Sequence, residues 1–197
     1  DNTVDGAVFS KADLTINGTG TLSVAGAAGH GIVCKDALRL VSGTVDVTAA
    51  RHAIQAKDYV AVSGGTWTLD AGTDGIHAEN ADDAEKGFIY VAGGSIDITA
   101  GSDGFDAANV LEVDGGDVTV SAGDDGLHAE LDLVVNGGTV TVSLSYEGLE
   151  GSTVTITGGT IGVTSSDDGI NAAGDPTKAD STETEPTDAV PTGEGDP

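Results

Sequence analysis

Basic residues are scarce: 7 Lys and Arg stand against 33 Asp and Glu, a formal net charge of −26. Nucleic-acid binding needs clustered Lys and Arg to neutralise phosphates, so that class is excluded, and anionic lipid surfaces would repel the chain. A single cysteine, Cys34, excludes an internal disulfide and says little about compartment. No apolar run approaches the roughly 18 residues of a membrane-spanning helix, and no signal peptide is evident, so direct membrane insertion is not expected. Met is absent even at position 1, and the chain reads as an excised or processed fragment. Aromatics are only 4 %, and all 4 prolines fall after residue 173.

Glycine, by contrast, is abundant. It supplies 31 of 197 residues, about twice its usual share, without a collagen triplet. Hydrophobic residues, at 38 %, suffice for a core. The glycines keep a register. Seven stretches resemble one another: GHGIVCK, RHAIQAK, TDGIHAE, SDGFDAA, DDGLHAE, YEGLEGS and DDGINAA. Their apolar markers, Ile32, Ile54, Ile76, Phe105, Leu127, Leu149 and Ile170, are spaced by 22, 22, 29, 22, 22 and 21 residues. A second marker, the turn ending in Gly43, Gly65, Gly94, Gly116, Gly138 and Gly159, keeps the same intervals. The 29-residue interval holds an insertion of about seven residues around Asn80–Lys86 (NADDAEK).

Within each repeat the apolar residues alternate, as in Leu111 and Val113 or Val118 and Val120. That is the period of a strand with one face inward. A 22-residue unit of three short strands cannot bury its own apolar face, but stacked units can. Parallel crossovers are nearly always right-handed. The prediction is therefore all-β: a right-handed parallel β-helix of about seven coils, roughly 22 residues and three short strands per coil, over residues 1–173. Residues 174–197, with every proline and 7 of the 33 acids, read as an acidic Thr/Pro-rich linker or C-terminal cap. Trp67 and Cys34 fall on inward columns and are assigned to the core. The open ends of the solenoid expose strand edges, so end-to-end or lateral self-association is possible.

Stacking aligns outward columns too. The residue two before each apolar marker reads His30, His52, Asp74, Asp103, Asp125, Glu147 and Asp168. Three residues on come Val33, Gln55, His77, Asp106, His128, Glu150 and Asn171, and Asp124 and Asp167, which flank the first column, join the same oxygen-rich stripe as metal-ligand candidates. Strands in such a stack lie about 4.8 Å apart. Carboxylates at that spacing repel by about 1 kcal/mol in water and about 3.5 at an effective dielectric of 20. The expected compensation is Ca²⁺, which takes 6–8 oxygens from carboxylates, amides and backbone carbonyls. His77 and His128 lie two coils apart, about 10 Å, too far to share an ion, and are read as solvated or sugar-contacting. Tyr146 is an outward aromatic and a candidate for stacking on a sugar ring. Lys35, Lys57 and Arg51 are the basic residues nearest the stripe and would contact an acidic sugar directly.

The GGT turns together with SDDGINAA (166–173), DDGLHAE (124–130) and TDGIHAE (73–79) resemble the secreted bacterial carbohydrate-binding domain family described as polysaccharide-lyase-like parallel β-helices. The resemblance covers roughly residues 12–173. It implies an extracellular or bacterial cell-surface protein that binds Ca²⁺ along the acidic edge. It also implies binding of plant cell-wall polysaccharide, acidic pectic chains and cellulose included. By position the implied metal ligands are Asp74, Asp103, Asp106, Asp125, Glu147, Glu150, Asp168 and Asn171. The first two coils depart from the pattern, with His30 and His52 in the Asp column. Two other functions remain open. One is a Ca²⁺-dependent β-elimination polysaccharide lyase, which would need a Lys or Arg base. The other is a structural or adhesin segment stiffened by Ca²⁺. A non-catalytic binding module is expected over both.

Overall fold

The computed structural model describes residues 6–174. The predicted tail lies, but for Gly174, outside them. Twenty strands and no helix are found among the described residues. Every strand pair is parallel. Successive coils stack into a β-solenoid of about eight turns of about 22 residues. A representative coil is Phe105–Ala107, Val110–Val113 and Asp117–Ala122. The third strand of each coil builds a seven-stranded sheet and the other two a thirteen-stranded one.

The turn count exceeds the predicted seven. The added turn is the N-terminal one, whose strand Gly6–Ser10 pairs with His30–Cys34 in the register Val8↔Ile32. That spacing is 24 residues rather than 22, so the turn escapes a search at the repeat period. The three-strand unit also changes near the C-terminal end. There the first two strands fuse into Leu127–Val135 and Leu149–Ile156, with a bulge between Ala129 and Asp132. A bulge lets one continuous strand turn the corner that other coils turn with a break.

The core is a set of columns running along the solenoid axis. Leu38, Val60, Ile89, Leu111 and Leu133 are consecutive partners, all fully buried. The column Val45, Trp67, Ile96, Val118 and Val140 is equally buried, and Trp67 Nε1 donates to the Gly64 carbonyl at 2.8 Å. Each such side chain contributes about 1.5–3 kcal/mol on leaving water. Cys34 stacks on Ala56 inside the core. The turn glycines have a conformational cause. Gly116, for instance, has φ of +93°, and an added Cβ would lie 2.8 Å from the Gly94 carbonyl oxygen. Only glycine meets both demands, so the turn repeats as GG along the chain. Fixed turns fix the register, and the register stacks the outward side chains into one edge.

Candidate functional site

The two outward columns lie where the sequence spacing places them. Gln55, His77, Asp106, His128, Glu150 and Asn171 are successive strand partners. In the neighbouring column, amide-to-carbonyl hydrogen bonds link the coils at Asp74, Asp103, Asp125, Glu147 and Asp168. Carboxylates there also hold the backbone: Asp74 Oδ1 accepts from Asp103 N at 3.3 Å, and Asp103 Oδ1 from Asp125 N at 2.9 Å.

Histidine changes the electrostatics of the lower coils. The imidazoles of His30, His52 and His77 stack face to face with centroids 4.7 Å apart. Above them the charges alternate. Asp74 Oδ2 lies 2.7 Å from His52 Nδ1 and 3.8 Å from His77 Nδ1. Asp106 bridges two rings, with Oδ2 2.6 Å from His77 Nδ1 and Oδ1 3.2 Å from His128 Nδ1. The two histidines share no ion-sized gap, as their spacing indicates. They share the carboxylate between them. Around Asp106 the balancing positive charge comes from the His77 and His128 imidazoles.

The protonation states follow. The hydrogen bond to Asp106 outweighs burial and pushes His128 up to about 9. Burial opposes charge on His77, but Asp106 and Asp74 still raise it. Burial likewise pushes the Asp106 carboxyl up, yet the bonds from His128 and His77 overcome it and hold the group well below the usual carboxylate range. Asp103 has no such partner, and burial pushes it up to about 7. Asp125 is raised by burial and by its contact with Glu150.

Among the described residues, three groups place metal-ligating atoms within 4.8 Å of one another: Asp74, His77 and Asp106; Asp103, Asp106 and His128; and Asp125, Glu147 and Glu150. Only the third is all oxygen. Asn171, expected as a ligand, instead braces the group: its Nδ2 donates to both Glu147 oxygens at 3.0 Å and to Glu150 Oε1 at 3.4 Å, so its amide nitrogen and not its oxygen faces the carboxylates. A hard cation prefers that set, whereas imidazole nitrogen suits borderline metals. The residues present therefore fit Ca²⁺ at Asp125, Glu147 and Glu150. They fit it less well at Asp74, Asp103 and Asp106, where histidine intervenes. Beside the third group lies a recess of about 190 Å³ lined by His128, Glu130, Glu150 and Ser152.

The remaining expected residues are dispersed. Asp124 and Asp167 are exposed and flank Tyr146, whose backbone amide donates to the Asp124 carbonyl at 2.7 Å and whose carbonyl accepts from Asp167 N at 2.9 Å; Tyr146 is 49 % exposed. Asp168 is exposed on the last coil. Lys57 and Arg51 are exposed on the lower coils, and Lys35 Nζ is paired with Glu79 Oε1 at 3.2 Å. Gln55 also donates to Glu79, a contact between columns that single-column spacing does not reveal.

Residues 1–175 match the family described as carbohydrate-binding domain-containing protein. The chain belongs to that family. No curated protein and no solved structure matches it. A carbohydrate-binding domain of this form offers its ligand the outside of a rigid stack, since the inside is filled. Polysaccharide is therefore the partner class, and the outward edges and grooves are where it is met.

Proposed function

We propose that this carbohydrate-binding domain is a Ca²⁺-loaded, non-catalytic module of a secreted or cell-surface protein, recognising plant cell-wall polysaccharide with acidic pectic chains at its acidic edge. The observation that carries this is the all-oxygen cluster of Asp125, Glu147 and Glu150 beside an open recess. A uronate carboxylate would be repelled by these three acids on their own. A hard divalent cation held by them turns the same position into an attractive one. Asp125, Glu147 and Glu150 would hold the ion, Asn171 would orient the two glutamates, and His128 would present a positive edge to the sugar.

The geometry supports binding over cleavage. A β-elimination needs the base and the cation at the same sugar. Lys57 sits three strand rungs, about 14 Å, from the Asp125 coil, and Lys35 lies a further rung away against Glu79.

The test is titration of the full chain with hexagalacturonate, in Ca²⁺ and in chelator. Binding in Ca²⁺ that is lost in chelator and in Asp125→Asn is the expected result. Equal binding in both buffers would remove calcium from the reading. Formation of ultraviolet-absorbing unsaturated uronate would replace the module with a lyase.

A further inference from the structure

The insertion that interrupts the 22-residue period is a built object. Asn109, 6 % exposed on the next coil, donates from Nδ2 to three of its carbonyls: Asn80 at 3.0 Å, Asp83 at 3.1 Å and Lys86 at 2.7 Å. Asn80 Oδ1 in turn accepts from Asp82 N and Asp83 N, both at 3.1 Å. Lys86 Nζ is tied to Asp58 Oδ2 at 2.9 Å. A loop pinned by one buried side chain is preorganised, which lowers the ordering cost of anything that binds against it.

The loop walls a groove. Ala84 and Glu85 form one side, and Phe88, Tyr90, Val110 and Glu112 form the floor, around about 310 Å³. That is the lower end of the size range of small-molecule sites. The rings are fixed. Phe88 stacks on Tyr59 at 4.7 Å, and Tyr90 Oη donates to Asp114 Oδ2 at 2.6 Å. Asn136 Nδ2 then bridges Glu112 Oε1 at 3.0 Å and Asp114 Oδ1 at 2.9 Å. An apolar floor with an ordered rim of acceptors fits the two characters of a pyranose, its C–H face and its hydroxyl donors. The charged groups lining the groove are acidic, Glu85 and Glu112. Its two nearest cations are engaged elsewhere, Lys86 with Asp58 and Arg39 with Asp13. A uronate would bring a further negative charge to this rim.

We propose that the groove between the Asn80–Lys86 insertion and the Phe88–Val91 and Val110–Val113 strands binds a neutral pyranose unit of a polysaccharide chain, without calcium, as a site separate from the acidic edge. This rests on the carbohydrate-binding reading and divides it by charge: uncharged sugar in the aromatic groove, uronate at the oxygen cluster.

The experiment is calorimetric titration of the full chain with cellohexaose, xylohexaose and hexagalacturonate, each in Ca²⁺ and in chelator. The proteins are the parent, Tyr90→Ala and Ala84→Trp. Ala84 is exposed on the loop, so Ala84→Trp fills the groove without touching the core and stays informative should Tyr90→Ala destabilise the fold. We expect a neutral oligosaccharide to bind equally in both buffers, and both variants to weaken it about tenfold, with hexagalacturonate unaffected. Unchanged neutral binding in Ala84→Trp overturns the groove. Hexagalacturonate binding with no neutral binding overturns it too, while leaving the module reading intact. Binding of none of the three probes overturns both.

Discussion

Asp106 joins two histidines across three coils, and its removal has a calculable pH signature. His128 has a folded pKa of about 9 against an ordinary 6.5. That difference corresponds to about 3 kcal/mol of stability. Because the folded value is the higher one, the contribution is complete below about pH 6.5 and disappears as pH rises through about 9. Asp106 is held low, so its own share persists down to strong acid and reports the same interaction, not a second one. Asp103 adds a slope of the same sign between about pH 4 and 7, since its raised pKa means the folded state holds a proton the unfolded chain releases. In chelator the parent is therefore expected to be most stable near about pH 4–5 and to weaken steadily toward pH 9. Asp106→Asn should cost about 3 kcal/mol at pH 6 and converge on the parent above pH 9. Urea unfolding followed by far-ultraviolet circular dichroism at pH 5, 6, 7, 8 and 9.5 measures this directly. An Asp106→Asn protein as stable as the parent at pH 6, or one that keeps the parent's full slope between pH 6.5 and 9, would refute the bridge.

Calcium should stabilise the parent by about 2.7 kcal/mol at a hundredfold excess over Kd, read as a shift in melting temperature. Asp125→Asn should abolish most of that shift and in chelator should be neutral or slightly stabilising, whereas Asp82→Asn on the insertion should leave it intact. Val118→Asp places a charge in a fully buried column and should leave little folded protein by circular dichroism. Gly126→Ala puts a Cβ 2.5 Å from the Gly148 carbonyl oxygen and should cost about 1–3 kcal/mol in urea unfolding.

How far the sequence could be read depended on whether a feature repeats. The alternation of Leu111 and Val113 and the glycine turns recur from coil to coil, and the D-G pair in most of the later ones, so errors in one coil are corrected by the others. Column membership from Gln55 to Asn171 follows from those intervals alone. Features that occur once were harder to see. The N-terminal turn has an irregular spacing. The Asn80–Lys86 insertion is visible as an extra length, but the three hydrogen bonds from Asn109 that shape it are a tertiary matter. The spacing of His77 and His128 gives their separation of two coils but not the Asp106 carboxylate between them that can accept from both. The column of Lys35 does not reveal its ion pair with Glu79, which spans two coils and joins different residue types.

Among the described residues, the last coil has a neighbour on one side only. Its Ile170 is 51 % exposed, and Ile156 before it 44 %. In a stack stabilised by nearest-neighbour contacts, such an end peels first, at a free energy well below that of global unfolding. Asn171 belongs to that coil, and its amide is what holds Glu147 and Glu150 together. Opening the end by a single rung thus releases one wall of the oxygen cluster. A cation bound there would staple this last described coil to the one before it, so amide hydrogen exchange in Ile170–Ala172 should slow on calcium addition while exchange in the Thr66–Ala71 strand does not.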